Sequence, residues 1–171
     1  MKRVLLLLAS AVIIAFSSMS AYADDVPFPA DWAKWNKQKT KLSALNALPS
    51  CDGENAAVSQ FPQIYQKTVE TYCGLKANGP GRVDILVNPA AQKNYDTRDG
   101  NMPDGANMVL RFDAVKLLLV TAHQGGKPMY AVFTEAGEKV VTAGPLSVET
   151  CQGCHTGYQS FCKNGQCGSK Q

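Results

Sequence analysis

The sequence predicts an α+β fold: an antiparallel β-sheet with N-terminal helices packed on it and a short C-terminal segment after the sheet. Two observations predict it. Apolar residues recur at helical spacing only in the first half of the chain. Beyond residue 80 they fall into short runs of β-branched and aromatic residues separated by turn residues, as in strands joined by hairpins.

The chain opens with "MKR", an apolar run "VLLLLASAVIIAF" and "AYA" at 21–23. A basic start, a short apolar core and a small-x-small site read as an export leader over residues 1–23, too short and poorly flanked for a membrane span. Cleavage near Ala23 leaves residues 24–171 as one domain, long enough to bury a core. The exported part carries 15 basic residues against 14 acidic ones. Near neutrality gives no basic face for nucleic acid or anionic lipid. A periplasm, or another exported location, is the expected compartment.

Residues 31–48 read as a first helix, with Asp31 as N-cap, Trp32, Trp35, Leu42 and Leu45 near one face, and Pro49 as the stop. Residues 62–72 read as a second. Pro62 suits its first turn, Ile64, Tyr65, Thr68, Val69 and Tyr72 repeat at three and four, and Gly74 follows as C-cap. "NGPG" (78–81) is a turn, and "RVDILVN" (82–88) a strand. A turn-rich loop at 98–105 leads to the strands "NMVLRF", "VKLLLVT" and "MYAVFT". "HQGGKP" separates the last two, which places His123 in a turn. "EAGEKV" reads as a hairpin turn into a short final strand.

All six cysteines lie in the exported part, where thiols without another role form disulfides. Cys51 and Cys73 bracket the second helix and are expected to pair. Cys162 and Cys167 flank Asn164-Gly165, a tight-turn signal, and are expected to close a small loop. That leaves "CQGCH", with Cys151, Cys154 and His155.

C-x-x-C-H is the attachment signature of haem c. Two intervening residues let both thiols reach the two vinyl groups from one helical turn. The following histidine then meets the iron as the proximal axial ligand. A zinc site would need Cys162 and Cys167 as further ligands, in an awkward C-x4-C half. A dithiol exchange site would start a helix after a strand in a βαβ unit, and that context is missing. One covalent haem c is therefore the expected cofactor. For the sixth position, Met102 in the loop before "PDG" is a candidate distal ligand. His123 is the weaker candidate, and Met108 and Met129 read as core.

The order of features resembles the cytochrome P-460 / cytochrome c′-β family over roughly residues 29–163. The resemblance rests on "PADWAKWN", "GRVDILVNPAA", "MPDGANMVLRF", "GGKPMYAVFTEAG" and "CQGCH" with a short tail. It implies a haem held near an antiparallel sheet, bound by histidine, with an open distal side. One branch of that family oxidises hydroxylamine and carries a lysine–porphyrin bond. The other lacks the bond and binds nitric oxide and similar gases. Lys93 is the only lysine in "QKNYDTRDGNM" and so the candidate for the bond, but the matched position falls nearer Arg98. Arg111 stands where the enzymes tend to carry an acid. The reading that follows is an exported monohaem cytochrome that binds a small gaseous or nitrogenous ligand, transfers electrons with a redox partner protein, or both. Hydroxylamine oxidation is the alternative. A haem-free zinc or disulfide module is the alternative of another class. No nucleic-acid partner is expected, and a homodimer stays open.

Overall fold

Alternation of side chains along four long or medium strands dictates a sheet with two apolar faces. A computed structural model describes residues 26–45, 48, 51, 56–75, 81–141, 143–157, 162–163 and 166–167. The leader with its cleavage site, Pro49, most of the "NGPG" turn and Asn164-Gly165 lie outside the described residues.

Five strands form one antiparallel sheet in chain order: β1 (Asn36–Lys37), β2 (Val83–Val87), β3 (Asn107–Phe112), β4 (Leu117–Gln124) and β5 (Lys127–Thr134). The register aligns Leu86, Val109, Val120 and Ala131 in one row and Ile85, Leu110, Leu119 and Val132 in the next. Consecutive rows point to opposite faces. Gly125 and Gly126, at φ 58° and 72°, make the β4–β5 turn. Both positions need the left-handed region, which explains the glycine pair.

The N-terminal segment covers one face. Val26 and Trp35 are buried there among Leu86, Val109, Leu118, Val120 and Phe133, with Phe28 and Trp32 packed alongside. Phe28 meets Phe133 edge-on at 5.5 Å between ring centroids. Helices cover the other face. After the four-residue α1 (Ala56–Ser59), α2 (Gln63–Leu75) buries Ile64, Tyr65, Val69 and Tyr72. Tyr72 lies edge-on to Phe112 at 5.5 Å. The next helix, α3 (Pro89–Thr97), starts with Pro89 behind Asn88, whose side chain accepts the Ala91 N–H. It buries Ala91 and Tyr95 near Val87 and Met108. The chain ends in α4 (Val148–Gly157) and a two-stranded hairpin, β6 (Cys162–Lys163) with β7 (Gln166–Cys167).

The structure corrects four expectations. Residues 31–48 are not one helix. They give a single 3-10 turn at Trp32–Lys34, then β1, then a turn at 41–44. Edge pairing wins over periodicity, because the Gln38 N–H donates to Ile85 O at 2.8 Å and β1 joins β2. Thr40 and Ser43 also bond each other's backbone N–H, which competes with a continuing helix. His123 is not a turn residue. It is 2 % exposed inside β4, and its backbone pairs with Gly105 and Ala106. The final strand after "EAGEKV" shrinks to one bridge, Phe133 to Lys139. In the second helix the end also moves: Gly74 lies inside α2, one residue before its last.

Both disulfides are present, Cys51–Cys73 and Cys162–Cys167. The first ties the chain ahead of α1 to the end of α2. The second closes the β6–β7 hairpin.

Candidate functional site

Gly144 has φ 56° and opens a 3-10 turn, Gly144–Leu146, that aims the chain into α4. Ser147 follows, and its Oγ accepts the Thr150 N–H at 3.1 Å, satisfying one of the helix's free first-turn donors. Within α4, Cys151, Cys154 and His155 stand at i, i+3 and i+4, which puts them on one helix face. All three line a single cavity and are half-buried. Cys151 and Cys154 are the only cysteines outside a disulfide.

The facing wall comes from the sheet: Ile85, Met108, Leu110, Leu119, Thr121 and Tyr130. Ile64, Tyr65, Thr68 and Thr71 of α2 form a second wall, with Leu42 and Tyr95 also lining the space. The cavity is partly open to solvent. The wall is more apolar than its composition implies. The Thr68 and Thr71 hydroxyls turn back and donate to Ile64 O and Lys67 O, both at 2.9 Å. Among the described residues, the lining contains no lysine, arginine, aspartate or glutamate.

Tyr130 is the exception. It is 4 % exposed, it lines the cavity, and its Oη has no hydrogen-bond partner among the described residues. Its ring lies 5.0 Å from the His155 ring, tilted by 53°. Burial raises its phenol well above the usual range. Burial likewise pushes Tyr95 up to about 12, against the lowering effect of Arg98.

The thiols discriminate between chemistries. Burial pushes the Cys151 thiol up to about 11, with Cys154 adding to the effect. Burial also raises Cys154, against the lowering charge of Lys67. A dithiol exchange centre needs a lowered thiol, so this pair is poorly suited to it. Zinc fares no better. Cys162 and Cys167 are spent on each other, and no group of three or more His, Cys, Asp or Glu converges among the described residues. Two half-buried thiols and an imidazole on one helix face, opposite an apolar wall, do fit the edge and axial ligand of a haem.

The other sequence candidates fall elsewhere. Met102 is 5 % exposed in a cluster with Val87, Ala91, Tyr95 and Ala106, and does not line the cavity. Lys93 is exposed on α3 and His123 is buried in β4; neither lines it. Arg98, at φ 55° after α3, reaches the site's edge: its Nη2 donates to Cys167 O at 3.3 Å, and its guanidinium lies 5.4 Å over the Tyr95 ring. Arg111 belongs to the opposite sheet face. There it donates to Glu135 at 2.7 Å and Asp84 at 3.3 Å, and stacks over Trp32. Its mismatch with an acidic family position therefore says nothing about this cavity. Sequence reasoning missed Tyr130 and Tyr95. The alternation in "MYAVFT" separates Tyr130 from Met129 and Ala131, but not which face holds the site.

Comparison with protein-family models, curated proteins and solved structures returned no match to this chain.

Proposed function

We propose that this chain is an exported monohaem c-type cytochrome, with Cys151 and Cys154 as thioether donors and His155 as axial ligand. One observation carries the reading: these three groups share one helix face and line one largely apolar cavity opposite the sheet. When bound, haem supplies a redox-active iron and takes each thioether by net addition of an S–H across a vinyl double bond. The protein's part is to orient and to exclude water. Strand rows from β2 to β5 and the α2 wall shield the site, and α4 holds both thiols and the imidazole on one side.

The apolar lining favours small neutral ligands such as nitric oxide or carbon monoxide, with electron transfer as the use of the same iron when a redox partner docks. Hydroxylamine oxidation through a lysine–porphyrin bond has weaker support, because Lys93 is exposed and no lysine among the described residues lines the cavity. The resemblance to the P-460/c′-β layout is consistent with the five-stranded antiparallel sheet.

The test is a purified holoprotein examined by haem staining after denaturing electrophoresis and by ferric and ferrous spectra with and without carbon monoxide. Haem that stays on the polypeptide, and a ferrous spectrum that changes with carbon monoxide, is the expected result. Haem that leaves the chain in acid–acetone ends the reading.

A further inference from the structure

Resting on the haem reading, we propose that the Cys162–Cys167 disulfide is a positioning element for the His155 imidazole. Both sulfurs of this pair lie against the C-terminal part of α4. Cys162 Sγ is 3.9 Å from Cys154 O, and Cys167 Sγ is 3.4 Å from His155 Nδ1. A disulfide sulfur carries no proton, so any hydrogen bond between Cys167 and His155 runs from Nδ1–H to sulfur. That tautomer leaves Nε2 unprotonated, as a metal ligand must be, and fixing it is the role an outer partner plays for a ligating histidine.

The hairpin is itself anchored. Cys162 is 5 % exposed within the cluster of Tyr72, Val83 and Phe112. Arg98 ties the Cys167 carbonyl to the end of α3. The Tyr130 ring stands 5.0 Å from the imidazole ring. The imidazole thus meets both an aromatic ring and a half-buried, cross-linked sulfur. A loop closed between residues only 5 apart restricts the unfolded chain less than one closed over 22. Local positioning accounts for the tail pair better than global stability does.

The experiment compares three holoproteins: wild type, Cys162→Ala/Cys167→Ala and Cys51→Ala/Cys73→Ala. Covalent haem is counted by intact mass, then the midpoint potential and the imidazole proton resonances of the ferric form are measured. Without the disulfide, Nδ1–H is open to water, a stronger acceptor than sulfur. The imidazole then donates more to the iron, so the tail variant should show a lower potential and an altered imidazole pattern at unchanged haem content. The Cys51→Ala/Cys73→Ala protein should melt earlier and keep the wild-type potential. A tail variant with wild-type or raised potential overturns the proposal alone. Wild type without covalent haem overturns it together with the reading beneath it. If the tail variant does not accumulate, the Cys51→Ala/Cys73→Ala holoprotein, whose remaining disulfide is the tail pair, is reduced with a phosphine and alkylated while folded. A fall in potential on reduction supports the proposal, and none overturns it.

Discussion

Cys154 stands at the point where three contacts meet: the cavity, the Cys162 sulfur and the core cluster that includes Tyr72. A Cys154→Ser variant keeps the size of the side chain and removes the sulfur. Stable covalent haem loading should be lost, with one thioether at most, read as haem stain per mole of chain. Gly81 is a residue whose role the sequence concealed inside a turn motif. A Cβ there would stand against the Tyr72 Oη and lie 2.8 Å from Ala114 Cβ. Tyr72 is fully buried and cannot yield. Gly81→Ala should therefore destabilise by about 1–3 kcal/mol, the range for overpacking, seen as a lower urea midpoint at unchanged slope. Asp113 carries a pH signature. Burial raises its carboxyl, but the Arg82 backbone N–H and guanidinium outweigh that and hold it below the usual carboxylate value. A depressed folded value means that the stabilisation is present above the unfolded pKa and lost as pH falls through the folded one. Asp113→Asn should flatten the acid side of the stability–pH curve.

Elements differ in how far they could be read ahead of the structure. Strands β2 to β5 were legible because each is long enough for alternation to show, and turn residues separate them. The α2 helix was legible from its three-and-four repeat, and α4's site from the C-x-x-C-H spacing. The stretch at 31–45 was not. Its tryptophans sit at helical spacing, yet Trp32 and Trp35 reach the sheet from a 3-10 turn and an extended segment. A two-residue edge strand leaves no periodic trace, so only the partner strand reveals it. His123 was misplaced for a similar reason: "QGGKP" marks a turn, but the turn narrows to Gly125 and Gly126 and the strand runs on to Gln124. The two faces give a separable prediction at this scale. Trp35 is 7 % exposed on the face opposite the cavity. Trp35→Ala should cost about 3–5 kcal/mol of stability, as large core truncations do. The haem spectrum of the folded fraction should stay as in wild type. A spectral change would mean that the faces are not independent.

For the molecule as a whole, one sheet serves two purposes. Its first face is closed by the N-terminal segment and a salt-linked group around Arg111, Asp84 and Glu135. Its second face is left partly open between α2 and α4, and that opening is the cavity. The Cys51–Cys73 bond holds the α2 wall to the chain before α1, closing 22 residues. The loop-entropy relation gives about 3 kcal/mol for such a closure. Cys51→Ala/Cys73→Ala should lose on the order of that amount in denaturant titration. Ligand choice follows from the charges that the cavity lacks. Among the described residues its lining offers no lysine or arginine, and its threonine hydroxyls on α2 face their own helix. An anion entering this space would leave water with no charged side chain to meet it and only the ferric iron as partner, and leaving water costs several kcal/mol for a buried ion. A neutral diatomic gives up little hydration and meets apolar walls. With haem bound, the ferrous protein should therefore take nitric oxide and carbon monoxide readily, while the ferric protein should bind azide and cyanide weakly. Tyr130 tests the exception. Its phenol is the one buried lining group without a hydrogen-bond partner among the described residues. If it donates to whatever occupies the cavity, Tyr130→Phe should speed ligand release at unchanged haem content. Stopped-flow displacement of carbon monoxide by nitric oxide measures that rate. An unchanged rate would place the phenol on the His155 side alone, as a packing partner of the imidazole.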